Sequence, residues 1–160
     1  MPVYFIVECG NARKALKIGR ATDIQKRRRN LQTGNPAELL IIGWIVAEDE
    51  VAFEHALHQR FQHQRRGGEW FEIEPADIQP ILLRAGIRGF VAKNADAFEI
   101  IGYDRDGITE FVGIWDWGDL EYEECCPFCG CCCGIHYQEV SSLHHCLNCD
   151  TLTDFEEVMF

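Results

Sequence analysis

The sequence VYFIVECGNARKALKIGR, residues 3–20, decides the fold of this chain. Residues 3–8 and 15–20 are rich in apolar and β-branched side chains, and the stretch between them contains glycine and asparagine. Two such runs around a short turn predict a β-hairpin. The hairpin is the first element of what the pattern of apolar residues indicates is an α+β protein.

Helical and extended patterns follow the hairpin. Ile24 and Leu31 lie seven positions apart, so they share one helical face, and Thr22 or Asp23 can cap the start of that helix, which ends near Gly34. The further predicted elements are a strand at 39–47, a helix at 50–64, a strand at 69–73, a helix at 75–85, a connection at 86–94, and a β-hairpin at 98–115 around an Asp-Gly turn.

Charge divides the chain into two unlike halves. Residues 1–72 carry 11 Lys and Arg against 9 Asp and Glu, whereas residues 73–160 carry 4 against 17, and the whole chain has a net charge of −11. The first half is therefore suited to a phosphate backbone, and the second would be repelled by one. The acidic half favours a protein partner or a basic face of the same protein, or it only keeps the chain soluble.

Two absences in the sequence bear on its compartment. No stretch approaches the roughly 18 apolar residues that a membrane span needs, and the N-terminus lacks a signal-peptide pattern. We therefore expect a cytoplasmic protein with no membrane contact. Eight of the nine cysteines fall between Cys125 and Cys149, and in this context such a cluster favours metal binding over disulfides.

Two CxxC turns predict a zinc ribbon. Cys126 and Cys129 form the first turn, and Cys146 and Cys149 form the second, with sixteen residues between the turns. Four thiolates close a tetrahedral zinc site, so its role is structural. Gly130 and Asp150 follow the two turns, and both residue types tolerate the left-handed backbone that such a knuckle requires.

Four further cysteines near the ribbon leave alternatives open. They allow another register, such as Cys129 with Cys132, or a second metal site with a nearby histidine, or they are spare thiols. These cysteines are Cys125, Cys131, Cys132 and Cys133, and the histidines are His136, His144 and His145.

Charged residues on two predicted helices lie on their apolar faces. Arg27 lies three residues after Ile24, and Glu54 lies three before Leu57, where a charge is costly unless it has a partner or a role. His58 is one turn after Glu54 on the same face. The simplest structural explanation is a buried ion pair between Arg27 and Glu54 that holds the two helices together.

A set of motifs over residues 3–73 resembles the GIY-YIG nuclease superfamily, in a phage-type branch with a KIG motif. The matching residues, in chain order, are Val3-Tyr4, Lys17-Ile18-Gly19-Arg20, Arg27, Leu31-Gln32-Thr33-Gly34, Glu54, Leu57-His58, Phe61 and Gly68-Glu69-Trp70-Phe71. The family fold is a small antiparallel sheet flanked by helices. Lys17 stands where the family has its second tyrosine, Pro2 where it has a glycine, and no late asparagine is matched.

The resemblance implies a role for each site residue. Glu54 would hold Mg²⁺ or Mn²⁺, Tyr4 would hold or deprotonate the attacking water, and Arg27 would stabilise the phosphate. Lys17 would act as a base or neutralise the phosphate, or it is only an exposed strand residue. His58 would shuttle a proton or serve as a hydrogen-bonding core residue.

The sequence thus predicts three regions: a GIY-YIG-like nuclease domain at 1–86, an acidic β-hairpin connection at 87–121, and a zinc ribbon at 122–160. The leading function is a metal-dependent DNA endonuclease, in phage or mobile-element DNA processing or in defence against it. The alternatives are a non-catalytic DNA- or protein-binding module, and an acidic half that covers the basic helix. A homodimer is left open.

Overall fold

A computed structural model describes most of the first half of the chain and the core of the cysteine-rich region. The described residues are 1–9, 15–92, 99–103, 105, 109–112, 126, 129–132 and 135–153. The predicted turn at 10–14, the acidic stretch at 116–124, and Cys125 and Cys133 lie outside them. Within the described residues, no helix has the length and apolar character needed to cross a bilayer.

A six-stranded antiparallel sheet forms the centre of the first half. Its strands are β1 (Val3–Cys9), β2 (Leu16–Arg20), β3 (Glu38–Ile45), β4 (Arg65–Gly67), β5 (Trp70–Phe71) and β6 (Gly89–Val91). They lie side by side in the order β4-β5-β2-β1-β3-β6. β1 pairs with β2 as the sequence predicts, and it pairs with β3 on its other edge. The central β1 is buried on both faces, which explains its unbroken apolar run.

Three helices cover the two faces of this sheet: α1 (Ile24–Thr33), α2 (Glu50–Arg60) and α3 (Pro75–Ala85). One core cluster contains the inward residues of α2 and α3, and a second cluster on the opposite face is covered by Ile24 and Leu31 of α1. The Asp23 side chain caps α1 by accepting from the Lys26 amide at 2.9 Å, as its predicted role requires. The α+β class and the antiparallel sheet flanked by helices are confirmed.

The structure corrects three predicted elements. α2 ends at Arg60 rather than Gln64, because a 3-10 turn follows at Gln62–Gln64. Residues 65–67, which lie between the predicted helix and the next predicted strand, form β4, and the chain turns back onto β5 through Gly68 at φ +58°. The predicted connection at 86–94 contains β6, which joins the sheet beyond the domain boundary expected at residue 86.

The described residues of the second half form two small sheets. β7 (Glu99–Tyr103) pairs with β8 (Thr109–Val112), which confirms the backbone pairing of the predicted hairpin. β9 (Ile135–Gln138), β10 (Leu143–Cys146) and β11 (Leu152–Thr153) form a three-stranded antiparallel sheet in the order β11-β10-β9. This third sheet carries the second CxxC turn at the end of β10.

The first CxxC turn is hydrogen-bonded to the edge of the six-stranded sheet. The Val91 amide donates to the Gly130 carbonyl at 2.8 Å, and the Cys132 amide donates to the Gly89 carbonyl at 2.8 Å. Phe90 and Cys131 form the bridge between these two bonds. The first CxxC turn therefore pairs with the outer edge of β6, and β3 pairs with its inner edge.

Replacing Gly130 with alanine is expected to weaken this junction. Gly130 has φ +78°, and an added β-carbon would lie 2.0 Å from the Val91 carbonyl oxygen. We expect Gly130→Ala to lower the free energy of unfolding by about 2 kcal/mol or more, as measured by urea denaturation. Gly34→Ala is the matched control, since nothing lies within 4 Å of its added carbon. Equal losses of unfolding free energy in the two variants would contradict the close contact between Gly130 and β6.

Candidate active site and metal cluster

Tyr4 lies over a glycine on the neighbouring strand. Tyr4 and Gly19 face each other across β1 and β2. A β-carbon at Gly19 would lie 2.5 Å from the Tyr4 hydroxyl oxygen and 3.2 Å from Glu69 Oε2. The glycine therefore makes room for the phenol, and the Tyr4 hydroxyl and the Glu69 carboxylate share the space above it.

Arg27 reaches this hydroxyl from α1. Its Nε donates to the Tyr4 hydroxyl oxygen at 3.4 Å. The helix buries no residue and Arg27 is exposed, but its contact with Tyr4 places it on the predicted face, beside Ile24 and Leu31. The helix is anchored through the partly buried Ile24 and Leu31, while the long side chain of Arg27 extends over Tyr4.

Lys17 pairs with a carboxylate that sequence reasoning did not assign to the site. Lys17 Nζ lies 2.6 Å from Glu69 Oε2 and 5.6 Å from the centre of the Trp70 ring. The Lys17 side chain is only 7% exposed, which rules out the exposed strand residue considered above, whereas Glu69 is 41% exposed. Because Lys17 donates to a carboxylate, it fits the role of charge partner better than that of base.

Glu54 is buried on α2, as its helical position predicts, but its partner is not Arg27. Its Oε2 accepts a short contact from Nε of Arg20, the residue directly after the KIG motif. Arg20 therefore replaces Arg27 in the ion pair that the sequence suggested. The sequence could not predict this pairing. Arg20 lies on a strand, where side chains alternate between the two faces, and only the packing of β2 against α2 brings it beside Glu54.

His58 is held by the backbone of β2. Its Nε2 lies 3.0 Å from the Ile18 carbonyl oxygen and 3.9 Å from Glu54 Oε1. A carbonyl can only accept, so Nε2 carries the hydrogen in this bond. The ring also lies 5.2 Å from the Phe71 ring. These contacts match a hydrogen-bonding core residue, the second of the two predicted roles.

Burial sets the chemical state of Tyr4. The residue is 0% exposed, and burial raises the pKa of its hydroxyl above the ordinary value of about 10, while the Arg27 hydrogen bond acts in the opposite direction. The negative charges of Glu69 and Glu54 raise this pKa further. The same hydrogen bond raises the pKa of Arg27. Tyr4 is therefore a protonated phenol at neutral pH, linked electrostatically to both carboxylates.

Four cysteine thiols gather where the sequence predicts them. The sulfur atoms of Cys126, Cys129, Cys146 and Cys149 all lie within 4.8 Å of one another. Two of the separations are 3.7 Å, between Cys126 and Cys149, and 3.6 Å, between Cys129 and Cys146. Tetrahedral zinc with bonds of about 2.3 Å needs sulfur atoms about 3.8 Å apart. The cluster could therefore bind a structural zinc.

The two CxxC turns have the same backbone geometry. The Gly130 amide donates to the Cys126 carbonyl, and the Asp150 amide donates to the Cys146 carbonyl, both at 2.9 Å. Asp150 has φ +60°, so both residues adopt the left-handed conformation that the sequence predicts. The hydrogen bond between the Cys149 thiol and the Thr151 hydroxyl lowers the pKa of that thiol to about 6, which favours the thiolate that a metal requires.

Two of the additional cysteines are packed inside the protein. Cys132 is fully buried in the larger core cluster of the six-stranded sheet. Cys131 is fully buried with the metal-cluster cysteines, and its thiol lies 3.4 Å from the Ile87 carbonyl oxygen. Both thiols therefore pack where the cysteine-rich region meets the sheet. Among the described residues, neither belongs to the four-cysteine cluster.

The fold and the site together define an α+β domain joined to a four-cysteine cluster that could bind zinc. Residues 1–85 match the T5orf172 domain family, which is more than half of the chain, so the protein belongs to this family. The family is related to nucleases, and membership indicates a nuclease-like or DNA-binding function. No curated protein and no solved structure matches the chain.

The buried phenol should be visible in a titration. We expect tyrosinate absorbance, taken as the difference between the native protein and Tyr4→Phe, to rise only above pH about 10. The unfolded chain ionises Tyr4 near that pH, so the folded state loses stability as the pH rises through 10 towards the folded pKa. The same subtraction in urea-unfolded protein is the control, and a native transition at or below pH 10 would contradict the burial of Tyr4.

Measurement of zinc content should distinguish the four cluster cysteines from the additional cysteines of the core. We expect Cys126→Ser to lower the zinc content of the purified protein. Cys132→Ser should keep the zinc and lower the free energy of unfolding by about 1–3 kcal/mol, because it places a hydroxyl in the core. Zinc lost in Cys132→Ser and kept in Cys126→Ser would instead favour the alternative register.

Proposed function

We propose that this protein is a GIY-YIG-type endonuclease that hydrolyses DNA phosphodiester bonds with a divalent metal ion. The observation that supports it best is the arrangement around Gly19. There the Tyr4 hydroxyl, the exposed Arg27 and the Lys17–Glu69 ion pair lie close together. The negative charge of Glu54 also raises the pKa of Tyr4. Phosphodiester hydrolysis requires a positioned water, cationic stabilisation of the phosphate, and a carboxylate for the metal.

Glu54 fits the chemistry of a Mg²⁺ or Mn²⁺ ligand. Arg20 engages its Oε2, while the histidine nitrogen beside its Oε1 is 3.9 Å away, beyond hydrogen-bond reach. A carboxylate oxygen can take one position of an ion that keeps several of its waters. Such an ion would stabilise negative charge on the phosphate and polarise a water.

Arg27 is the cation placed to meet the phosphate first. It is exposed, and its hydrogen bond to Tyr4 is long, so a phosphate can draw the guanidinium away at small cost. A planar guanidinium donates two parallel hydrogen bonds to phosphate oxygens. Movement of Arg27 would also uncover the Tyr4 hydroxyl, which would then donate a hydrogen bond to the attacking water.

The same geometry also suits a non-catalytic DNA-binding module. In this second candidate, Tyr4 stays buried and Glu54 stays paired with Arg20, so Arg27 acts only as a phosphate contact. Binding would then be independent of metal and would survive Glu54→Ala. A phage or mobile-element context, and a protein partner for the acidic half, belong to either candidate.

Plasmid nicking by the zinc-loaded full chain distinguishes the two candidates. We expect nicking with Mg²⁺ or Mn²⁺, and a loss of about 100-fold or more in both Glu54→Ala and Arg27→Ala. Arg84→Ala and Glu38→Ala are the matched controls. Arg84 is exposed on α3, on the opposite face of the sheet from Tyr4, and Glu38 is exposed at the start of β3.

The nicking activities of Glu54→Ala and of the unchanged chain separate the two candidate functions. Equal nicking by Glu54→Ala and the unchanged chain would exclude the role of Glu54 and point to a contaminating enzyme. Binding of a DNA duplex without any nicking, on duplex or single-stranded substrates, would favour the non-catalytic module.

A further inference from the structure

The polar groups of the site lie in two layers. Tyr4 is 0% exposed, and the Lys17 and Glu54 side chains are only 7% and 12% exposed. Arg27 is exposed, and the Glu69 side chain is 41% exposed. A water molecule or phosphate that approaches this surface therefore meets Arg27 and Glu69 before it meets Tyr4.

Glu69 is held in place from two sides. Its carbonyl oxygen accepts from the Ile18 amide at 3.0 Å, which fixes its backbone to β2. Its carboxylate accepts from Lys17 Nζ at 2.6 Å. It follows the tight turn at Gly68, so the carboxylate is carried over Gly19 towards the Tyr4 hydroxyl. A carboxylate with a fixed backbone and a buried cationic partner is positioned in advance of substrate binding.

We propose that Glu69 is a catalytic residue that accepts the proton of the attacking water, an inference that rests on the proposed function. The water oxygen forms a bond to phosphorus, and the bond between phosphorus and the leaving sugar oxygen breaks. The water proton passes to a Glu69 carboxylate oxygen, and the leaving oxygen takes a proton from solvent. Lys17 holds the carboxylate and balances its charge.

The other groups of the site are less suited to this step. Tyr4 is buried and keeps its own proton at neutral pH, so it can orient a water but does not accept a proton readily. Lys17 donates to Glu69, and Arg27 has no lone pair to offer. Glu54 is occupied on one oxygen by Arg20, and its second oxygen is the one suited to the metal.

The test is the pH dependence of single-turnover cleavage by the full chain with Mn²⁺, compared with Glu69→Gln. Glutamine keeps an oxygen that can accept from Lys17, but it cannot take a proton. We expect the rate near neutral pH to fall about 100-fold or more, and the decline of rate at acidic pH to disappear. Glu69→Asp should retain that acidic decline with a smaller loss of rate.

Glu38→Gln is the matched control, because it removes one exposed carboxylate from the same domain and should cleave at the unchanged rate. Thermal unfolding of each variant separates a loss of chemistry from a loss of fold. Cleavage by Glu69→Gln within threefold (roughly) of the unchanged chain, with the same pH profile, would overturn this inference and leave the proposed endonuclease standing.

Two other results would also overturn it. A slower Glu69→Gln with an unaltered acidic decline would make Glu69 only a positioning partner of Lys17. An unchanged chain that cuts no DNA would remove the proposed function itself, and this case is recognised because every variant is then inactive alike.

Discussion

The packing of Tyr4 over Gly19 is the constraint on which the rest of the site depends. These two residues belong to a row that crosses four neighbouring strands and continues through Trp44 and Phe90. The Trp44 and Phe90 rings stack with centres 5.5 Å apart and planes 8° apart. A slip of one residue in any strand would move its side chains to the opposite face. The register that fills the core therefore also assembles the site, and neither can be changed alone.

The same row connects the site to the metal cluster. Phe90 bridges to Cys131 and packs against the cluster cysteines, while Cys132 enters the main core. The knuckle thus covers β6, an edge strand of three residues that would otherwise expose unpaired backbone groups. Because metal binding and folding are linked, zinc held by the cluster would stabilise the nuclease-related sheet as well as the ribbon. The hydrogen bonds between β6 and the first CxxC turn thus link the two halves of the chain at this junction.

The sequence predicted the elements with strong local patterns. The first hairpin, the bounds of α3, the capping by Asp23 and the four clustered cysteines all follow from short-range chemistry, and the structure confirms them. β6 has only three residues and no periodicity, so nothing local could predict it. Arg20 and Glu69 were missed as site residues for the same reason, since their partners lie 34 and 52 positions away. Long-range pairing, rather than propensity, places them.

The ion pairs of the site account for two of its three cations. Arg20 pairs with the buried Glu54, and the buried Lys17 pairs with Glu69, so each ion pair has one poorly exposed member. Burying the carboxylates without these partners would be costly. Arg27 is the remaining cation of the group, and its side chain donates to the neutral phenol of Tyr4. The three cations and two carboxylates of the site give it a formal charge of +1, although the whole chain carries a charge of −11.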